Sequence, residues 1–177
     1  MIRDWKTLTT EQLEKVSIFS VARSRREHPE FGEADFYVMD LPDWINVIAL
    51  TPEDDVVLVR QFRHGTDEVT REIPGGNVDE DETSREAAER ELREETGYES
   101  EDWTRIGTVE SNPAFMNNKC DTWLARNARP TADPNPEEHE EFELMRVPRE
   151  SFHDLIDAGE ITHSLVIAAA YHLLRMD

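Results

Sequence analysis

The chain has 177 residues, 37% of them hydrophobic, and a formal net charge of −21. This length suits one compact domain, and no apolar run approaches the length of a membrane span, so we expect no membrane partner. Nucleic-acid phosphates would be repelled by so acidic a chain, which argues against a nucleic-acid partner. The single cysteine, Cys120, cannot form an internal disulfide, and the first residues lack an apolar leader. Both features favour a cytoplasmic protein.

Lysine is scarce in this acidic chain, and arginine carries most of the positive charge; the lysines are Lys6, Lys15 and Lys119. Two interpretations stay open. The first is adaptation to a high-salt cytoplasm, where charge repulsion is screened, and the second is ordinary solvation combined with a cation-binding site. In either case an anionic substrate would need local arginine or a metal ion.

The first half of the chain is predicted to form strands. Residues 11–24 and 34–41 have the mixed pattern of edge strands, and RSRREHPEFGE between them is predicted as a turn. Two stronger strands follow at Trp44–Leu50 and Val56–Arg63. The edge strands suggest a semi-separate N-terminal sheet in this half.

A helix is predicted between Thr83 and Gly97. Thr83-Ser84-Arg85-Glu86 has the form of a capping box, and Gly97 stands where a left-handed C-cap belongs. The later elements are strands near 103–110, 120–126 and 142–147, an acidic loop at 127–140, and helices at 151–158 and 164–175. Strands alternating with a few helices indicate an α/β fold. We divide the chain into an N-terminal strand region, 1–42, and a main domain, 43–177.

The predicted helix carries three carboxylates on one face. Glu91, Glu94 and Glu95 are three and four residues apart, so they lie on the same side and repel one another. A hard divalent cation such as Mg²⁺ converts that repulsion into binding, because it prefers carboxylate and phosphate oxygens. The same ion can bridge to a diphosphate and activate a water molecule. A solvated acidic helix face is the alternative for any pair of glutamates taken alone.

The spacing around these carboxylates is more specific. The segment from Gly76 to Tyr98 reads GNVDEDETSREAAERELREETGY, and it resembles the Nudix box at every fixed position. The resemblance implies an α/β; Nudix fold, which is an α/β/α sandwich with a mixed β-sheet, plus a small N-terminal antiparallel sheet. It also implies hydrolysis of the pyrophosphate bond of a nucleoside diphosphate derivative with Mg²⁺, or Mn²⁺ in its place.

The resemblance assigns roles by position. The implied metal ligands are the carbonyl of Gly75 and the carboxylates of Glu91, Glu94 and Glu95, of which Glu91 and Glu95 are also expected to be catalytic. The implied structural positions of the box are Gly76, Glu82, Arg90 and Gly97. Within that set, an ion pair between Glu82 and Arg90 would tie the loop to the helix. Arg90 is thus expected to be structural rather than a phosphate contact.

Residues outside the box resemble the ADP-ribose pyrophosphatase branch of the family. The stretch VVLVRQFRHGTDEVTREIPGG resembles the segment that precedes the box in that branch, and Pro113 stands at the offset of a proline typical of it. The match implies that Arg63, Glu72 and Pro113 contact the substrate, with Arg63 on its phosphates. An ion pair between Arg63 and an acid is the alternative.

The acidic loop PEEHEEFELM is similar to a loop that closes over the diphosphate in this branch. The alignment gives Glu138 the role of the base that activates water and Glu140 the role of a further metal ligand. Neighbouring Glu137 and Glu141 leave the register open, and a solvated charge run is the alternative. No role is predicted for His163 or His172.

ADP-ribose is the expected substrate, with AMP and ribose 5-phosphate as products, and a homodimer is the expected assembly. Two other functions remain open. One is hydrolysis of another nucleotide sugar such as GDP-mannose. The other is a non-catalytic Nudix domain that binds a nucleotide and regulates a partner, which the intact box disfavours.

Overall fold

The computed structural model describes residues 2–136 and 139–176. The chain forms two compact units. The first contains residues 1–42 together with 110–119, and the second contains residues 43–109 and 120–177. Residues 110–119 therefore return to the N-terminal unit from the middle of the chain.

The first unit is built on an antiparallel sheet in the order β1-β2-β3. Its strands are β1 (Lys6–Lys15), β2 (Ser20–His28) and β3 (Gly32–Asp40). The turn predicted at residues 23–33 is wrong, because β2 continues to His28 and the turn is confined to residues 29–31. The inward positions of this stretch are Ser24 and His28, which are buried, so the alternation carried no apolar signal.

The second unit contains the remaining elements. The strands are β4 (Trp44–Ala49), β5 (Asp55–Arg63), β6 (Glu68–Glu72), β7 (Gly75–Asn77), β8 (Tyr98–Glu99), β9 (Asp102–Glu110), β10 (Lys119–Arg126), β11 (Arg129–Pro130) and β12 (Glu143–Pro148). The helices are α1 (Ser84–Thr96), α2 (Arg149–Asp157) and α3 (Ser164–Leu174). Two strands run past the unit's boundary, at the end of β9 and the start of β10. The predicted strands after Trp44 and the three predicted helices all correspond to elements of this set.

Three sheets are present in this unit among the described residues. One has the order β7-β4-β10-β9, with β4 parallel to β10 and antiparallel to β7. A second is antiparallel in the order β12-β5-β6, and β11 pairs with β8. Mixed strand directions are what the predicted mixed sheet requires.

The core lies on both faces of β4. Val47 packs in a cluster with Leu92 of α1, whereas its neighbour Ile48 packs in another cluster with Phe152 of α2 and Val166 of α3. Adjacent residues of a strand point to opposite faces, so β4 is covered by helices on both sides. This layering confirms the predicted α/β/α sandwich. None of the helices in the described part of the chain is long and apolar enough to cross a membrane.

Candidate active site

Helix α1 is fixed at both ends by local hydrogen bonds. The side chain of Thr83 accepts from the backbone N–H of Glu86 at 3.3 Å, and the Glu86 carboxylate accepts from the N–H of Thr83 at 2.8 Å. At the other end Gly97 has φ 72°, a left-handed conformation that favours glycine, and its N–H donates to the carbonyl of Arg93 at 2.8 Å. The predicted caps are both present, and they fix the residues at which the helix begins and ends.

The three carboxylates of α1 are buried to different depths. Glu95 is buried, with 4% of its surface exposed, while the side chains of Glu91 and Glu94 are 16% and 29% exposed. Buried Leu92 lies between them in sequence and packs into the core. The face therefore runs from the interior at Glu95 to solvent at Glu94, rather than being a solvated acidic surface.

Two glycines let strand β7 approach this face. The N–H of Gly75 donates to Oε2 of Glu95 at 3.3 Å. A Cβ on Gly75 would lie 2.5 Å from the carbonyl oxygen of Ile45, and a Cβ on Gly76 would overlap the carboxylate of Glu91. Space requires glycine at position 75, where a Cβ would meet backbone atoms of β4, whereas at position 76 a Cβ would displace the end of the Glu91 side chain.

Burial and mutual repulsion raise the pKa values of the inner carboxylates. Burial, followed by the charges of Glu91 and Glu140, raises the pKa of Glu95 well above its ordinary value. Burial also raises the pKa of Glu91, with Arg90 opposing it. A divalent cation would relieve both effects, so this donor set fits one.

Arg90 donates hydrogen bonds to two of the expected metal ligands. In residues 2–136 and 139–176 no group of three or more His, Cys, Asp or Glu side chains has metal-binding geometry. Nε and Nη2 of Arg90 donate to Glu82 at 2.8 and 3.0 Å, and Nη2 also donates to the carbonyl of Asn77 at 3.1 Å. Its Nη1 donates to Glu91 at 2.8 Å and to Glu94 at 3.1 Å. Arg90 thus ties the loop to the helix and also holds two proposed ligands.

A second arginine–glutamate pair lies at the hairpin of β5 and β6. Arg63 donates from Nε and Nη2 to the two oxygens of Glu72, at 2.8 and 2.7 Å. The hydroxyl of Thr70 donates to the same carboxylate at 2.6 Å. Burial raises the pKa of Glu72, but the hydrogen bonds from Arg63 and Thr70 outweigh it, and the pKa lies below its ordinary value. The ion pair anticipated as the alternative for Arg63 is therefore present.

Electrostatics connect this pair with helix α1. The hydrogen bond to Glu72 raises the pKa of Arg63, and the charges of Glu95 and Glu140 add to the increase. Glu140 acts in the same way on the pKa of Glu91. The second unit thus brings Arg63, Glu72, Glu91, Glu95 and Glu140 into one electrostatic neighbourhood.

Two predicted residues do not belong to the described part of the second unit. Pro113 belongs to the segment 110–119, in the first unit. Glu138 falls outside the described residues, as does its neighbour Glu137.

Sequence reasoning missed two residues beside Glu72. Thr70 is one, and His163 is the other, with its Nε2 4.0 Å from Oε2 of Glu72. The alternation of β6 could have placed Thr70 on the same side as Glu72, since they are two residues apart. Nothing in the local sequence links His163 to a strand so far away in the chain.

Comparison with known proteins agrees with this geometry. The model of the NUDIX domain matches residues 41–168. The ADP-ribose pyrophosphatase of Bacillus subtilis is 27% identical over 95% of this chain and 91% of its own length. The methanol dehydrogenase activator of Bacillus methanolicus has the same identity and coverage. A crystal structure of an ADP compounds hydrolase superposes with a TM-score of 0.88 at 21% identity, covering 99% of this chain and 95% of that one.

The family match spans most of the chain and includes the whole segment from Gly76 to Tyr98. The structural match shows the same fold over nearly the full length. The family membership that the sequence predicted is therefore confirmed. The chain belongs to the Nudix family and is a Nudix pyrophosphohydrolase related to ADP-ribose pyrophosphatases.

Proposed function

We propose that the chain hydrolyses ADP-ribose to AMP and ribose 5-phosphate in a Mg²⁺-dependent reaction, in which Mn²⁺ can replace Mg²⁺. The observation that carries this proposal is the row of mutually repelling carboxylates on α1, which runs inward to buried Glu95 and packs against the glycines of β7. Such a set suits a divalent cation and, through it, a diphosphate. The similarity to an ADP-ribose pyrophosphatase supports the choice of substrate.

The residues that would hold the metal are the carbonyl of Gly75 and the carboxylates of Glu91, Glu94, Glu95 and Glu140. Bound there, Mg²⁺ would neutralise charge on the diphosphate and lower the pKa of a coordinated water. Arg90 must then release Glu91 and Glu94 while it keeps Glu82, since its contacts to these glutamates use different nitrogens. The bond to Glu82 keeps the loop in place during that change.

Arg63 would bind the phosphates, and its pairing with Glu72 helps rather than prevents this. A guanidinium has five N–H donors, and the pair uses one on Nε and one on Nη2. Among residues 2–136 and 139–176 nothing accepts a hydrogen bond from Nη1 of Arg63. Glu72 would therefore orient the guanidinium with Nη1 left for a phosphate oxygen.

Water attack needs a base, for which we propose Glu138. A carboxylate in this acidic loop can accept the proton of the attacking water while the leaving phosphate departs on the opposite side. Glu137 and Glu141 are the alternatives by register. Replacing each of the three by glutamine and comparing turnover numbers would identify the base.

We also propose a homodimer formed through the N-terminal sheet. Every residue of β1 is exposed, and Leu13 and Tyr37 are large hydrophobic side chains of the sheet that remain open to solvent. Apolar side chains on a small sheet favour pairing with a second copy. Light scattering of the purified protein would give the molar mass, and a monomer would contradict this proposal.

The proposed reaction is tested by a matched pair of variants on α1. Glu95→Gln removes the charge of the most buried proposed ligand, whereas Glu89→Gln changes an exposed glutamate that pairs with Arg85 at 2.9 Å. With ADP-ribose and Mg²⁺ we expect Glu95→Gln to lower kcat by several orders of magnitude and Glu89→Gln to leave it unchanged.

The same assay separates the competing functions. ADP-ribose, GDP-mannose and other nucleotide sugars are compared by the phosphomonoester released, with and without chelator. Much faster turnover of another nucleotide sugar would contradict the ADP-ribose proposal. Binding of a nucleotide without release of any phosphomonoester would instead favour the regulatory function.

A further inference from the structure

His163 is the residue directly before helix α3, and hydrogen bonds hold its backbone in place. Its carbonyl accepts hydrogen bonds from the N–H groups of Val166 and Ile167, both at 3.1 Å. The first turn of α3 is also bound to β4, because the side-chain amide of Asn46 donates to the carbonyl of Leu165 at 3.1 Å. The imidazole itself makes no capping hydrogen bond to the helix. Its backbone is therefore fixed, and its ring is free for another role.

That ring faces the carboxylate that holds Arg63. Nε2 of His163 lies 4.0 Å from Oε2 of Glu72, too far for a direct hydrogen bond but close enough for one bridging water. The other ring nitrogen, Nδ1, is buried and has no hydrogen-bond partner in the described part of the chain. A buried imidazole nitrogen without a partner is unfavourable, so packing alone does not account for histidine at this position.

The remaining sides of the Glu72 carboxylate are already occupied. Oε1 accepts from Nε of Arg63 and from the hydroxyl of Thr70, and Oε2 accepts from Nη2 of Arg63. Among the described residues, the side of Oε2 that faces His163 is the remaining acceptor position of this carboxylate, so a contact there can change its orientation. Movement of this carboxylate would move the guanidinium, because the two are joined by parallel hydrogen bonds.

We propose that His163 is a positioning residue that fixes the orientation of Arg63 by acting through Glu72. The proposal rests on the proposed function in one respect, namely that Arg63 binds the diphosphate. His163 need not touch substrate or metal. It occupies the side of Oε2 of Glu72 that faces it, and the carboxylate in turn fixes the direction of Nη1 of Arg63.

The charge of His163 matters for this role. Burial lowers the pKa of His163, and Arg63 lowers it further, although Glu72 opposes both. The imidazole is therefore uncharged at neutral pH and does not compete with Arg63 for the carboxylate. A cation in its place would compete, which predicts that a lysine at this position is worse than an alanine.

The experiment combines spectroscopy with kinetics on three variants: His163→Ala, His163→Asn and His163→Lys. The Nε–H resonance of Arg63 is followed by nitrogen–proton NMR and identified by its absence in Arg63→Lys. We expect His163→Ala to shift this resonance and speed its exchange with water, while the polar asparagine retains much of the native signal. With ADP-ribose, KM should rise about 3- to 10-fold in His163→Ala, and further in His163→Lys, with kcat little changed.

His153→Ala is the matched control, because His153 is a helix histidine of α2 that contacts Phe152 and not Glu72. It should alter neither the resonance nor KM. In an Arg63→Lys background, His163→Ala should have no further effect on KM, since it acts through the residue already changed.

The outcomes separate the two claims. An unchanged Arg63 resonance in His163→Ala overturns the proposal, whatever happens to KM. A changed resonance with unchanged KM upholds the positioning role and contradicts phosphate binding by Arg63. Independent, additive effects of His163→Ala and Arg63→Lys on KM would overturn the route through Arg63.

Discussion

Two arginine–glutamate pairs in the second unit have the same bidentate hydrogen bonds but differ in what the remaining N–H donors of the arginine contact. Arg90 donates hydrogen bonds to Glu82 from Nε and Nη2, and Arg63 donates to Glu72 from the same two atoms. The hydrogen bonds of Arg90 continue to three more acceptors, so all five N–H donors have partners. The hydrogen bonds of Arg63 within the described residues stop at the two with Glu72.

Under the proposed function, this difference separates an arginine that is structural from one that binds substrate while paired with an acid. A bidentate ion pair fixes the plane of the guanidinium, and what the remaining donors face decides the function. In Arg90 they face the chain itself. In Arg63 the remaining donors include both N–H groups of Nη1, and the residue lies in the field of Glu95 and Glu140.

Among changes to the two arginine–glutamate pairs, Arg63→Lys has the largest expected effect on activity. Arg63→Lys keeps the charge but loses the fixed plane and the Nη1 donors, so kcat/KM for ADP-ribose should fall about 100-fold, mainly through KM. Steady-state kinetics measure it, with Arg85→Lys as control because Arg85 forms a surface ion pair with exposed Glu89. An unchanged KM would make Arg63 a structural residue like Arg90.

Lysine at position 90 should act first on stability. An ammonium group has three donors and cannot replace the five hydrogen bonds of Arg90, so we expect a loss of about 2 kcal/mol in the free energy of unfolding. Urea unfolding in the presence of chelator measures it. Arg63→Lys should cost less, since it disturbs two bonds, and the reverse order would break the comparison.

Acid should weaken both pairs, which is the smallest expected effect. The hydrogen bond from Arg90 leads the causes that lower the pKa of Glu82, and the pKa of Glu72 is also lowered. A carboxyl with a lowered folded-state pKa stabilises the fold above its unfolded pKa, and this contribution is lost as pH falls through the folded pKa. At neutral pH, Glu82→Gln and Glu72→Gln should each cost about 1 kcal/mol, and the difference from the wild type should shrink below about pH 4.5.

Urea unfolding at several pH values, again with chelator, checks this expectation. A difference between wild type and either variant that stays constant down to low pH would show that the carboxylate charge does not stabilise that pair. A difference that grows on acidification would reverse the sign of the argument.

The parts predicted from sequence are those that depend on near neighbours. The caps at Thr83 and Gly97 are local, and the Glu82–Arg90 pair follows from the fixed spacing of the box. The sequences of β4 and β5 contain strongly apolar runs. The path of β2 was not predicted, because its buried positions include Ser24 and its arginines are paired with acids across the sheet.

The parts that could not be predicted depend on distant segments. The register of β5 and β6 places Glu68 opposite Arg63, yet the guanidinium pairs with Glu72, four positions further along the ladder. His163 lies near that carboxylate because α3 packs against β4, both through apolar side chains and through the hydrogen bond from Asn46. Contacts of this kind follow from tertiary packing, which local sequence patterns do not encode.

Cleavage of the pyrophosphate bond is tested most directly by phosphorus NMR of a reaction run in water labelled with oxygen-18. With wild-type protein, ADP-ribose and Mg²⁺, we expect AMP and ribose 5-phosphate in equal amounts, with the label on only one of them. The reaction should stop with chelator and in Glu95→Gln but continue in Glu89→Gln. Unchanged ADP-ribose under conditions where the protein is folded and binds Mg²⁺, or products that persist in Glu95→Gln, would contradict the proposed reaction.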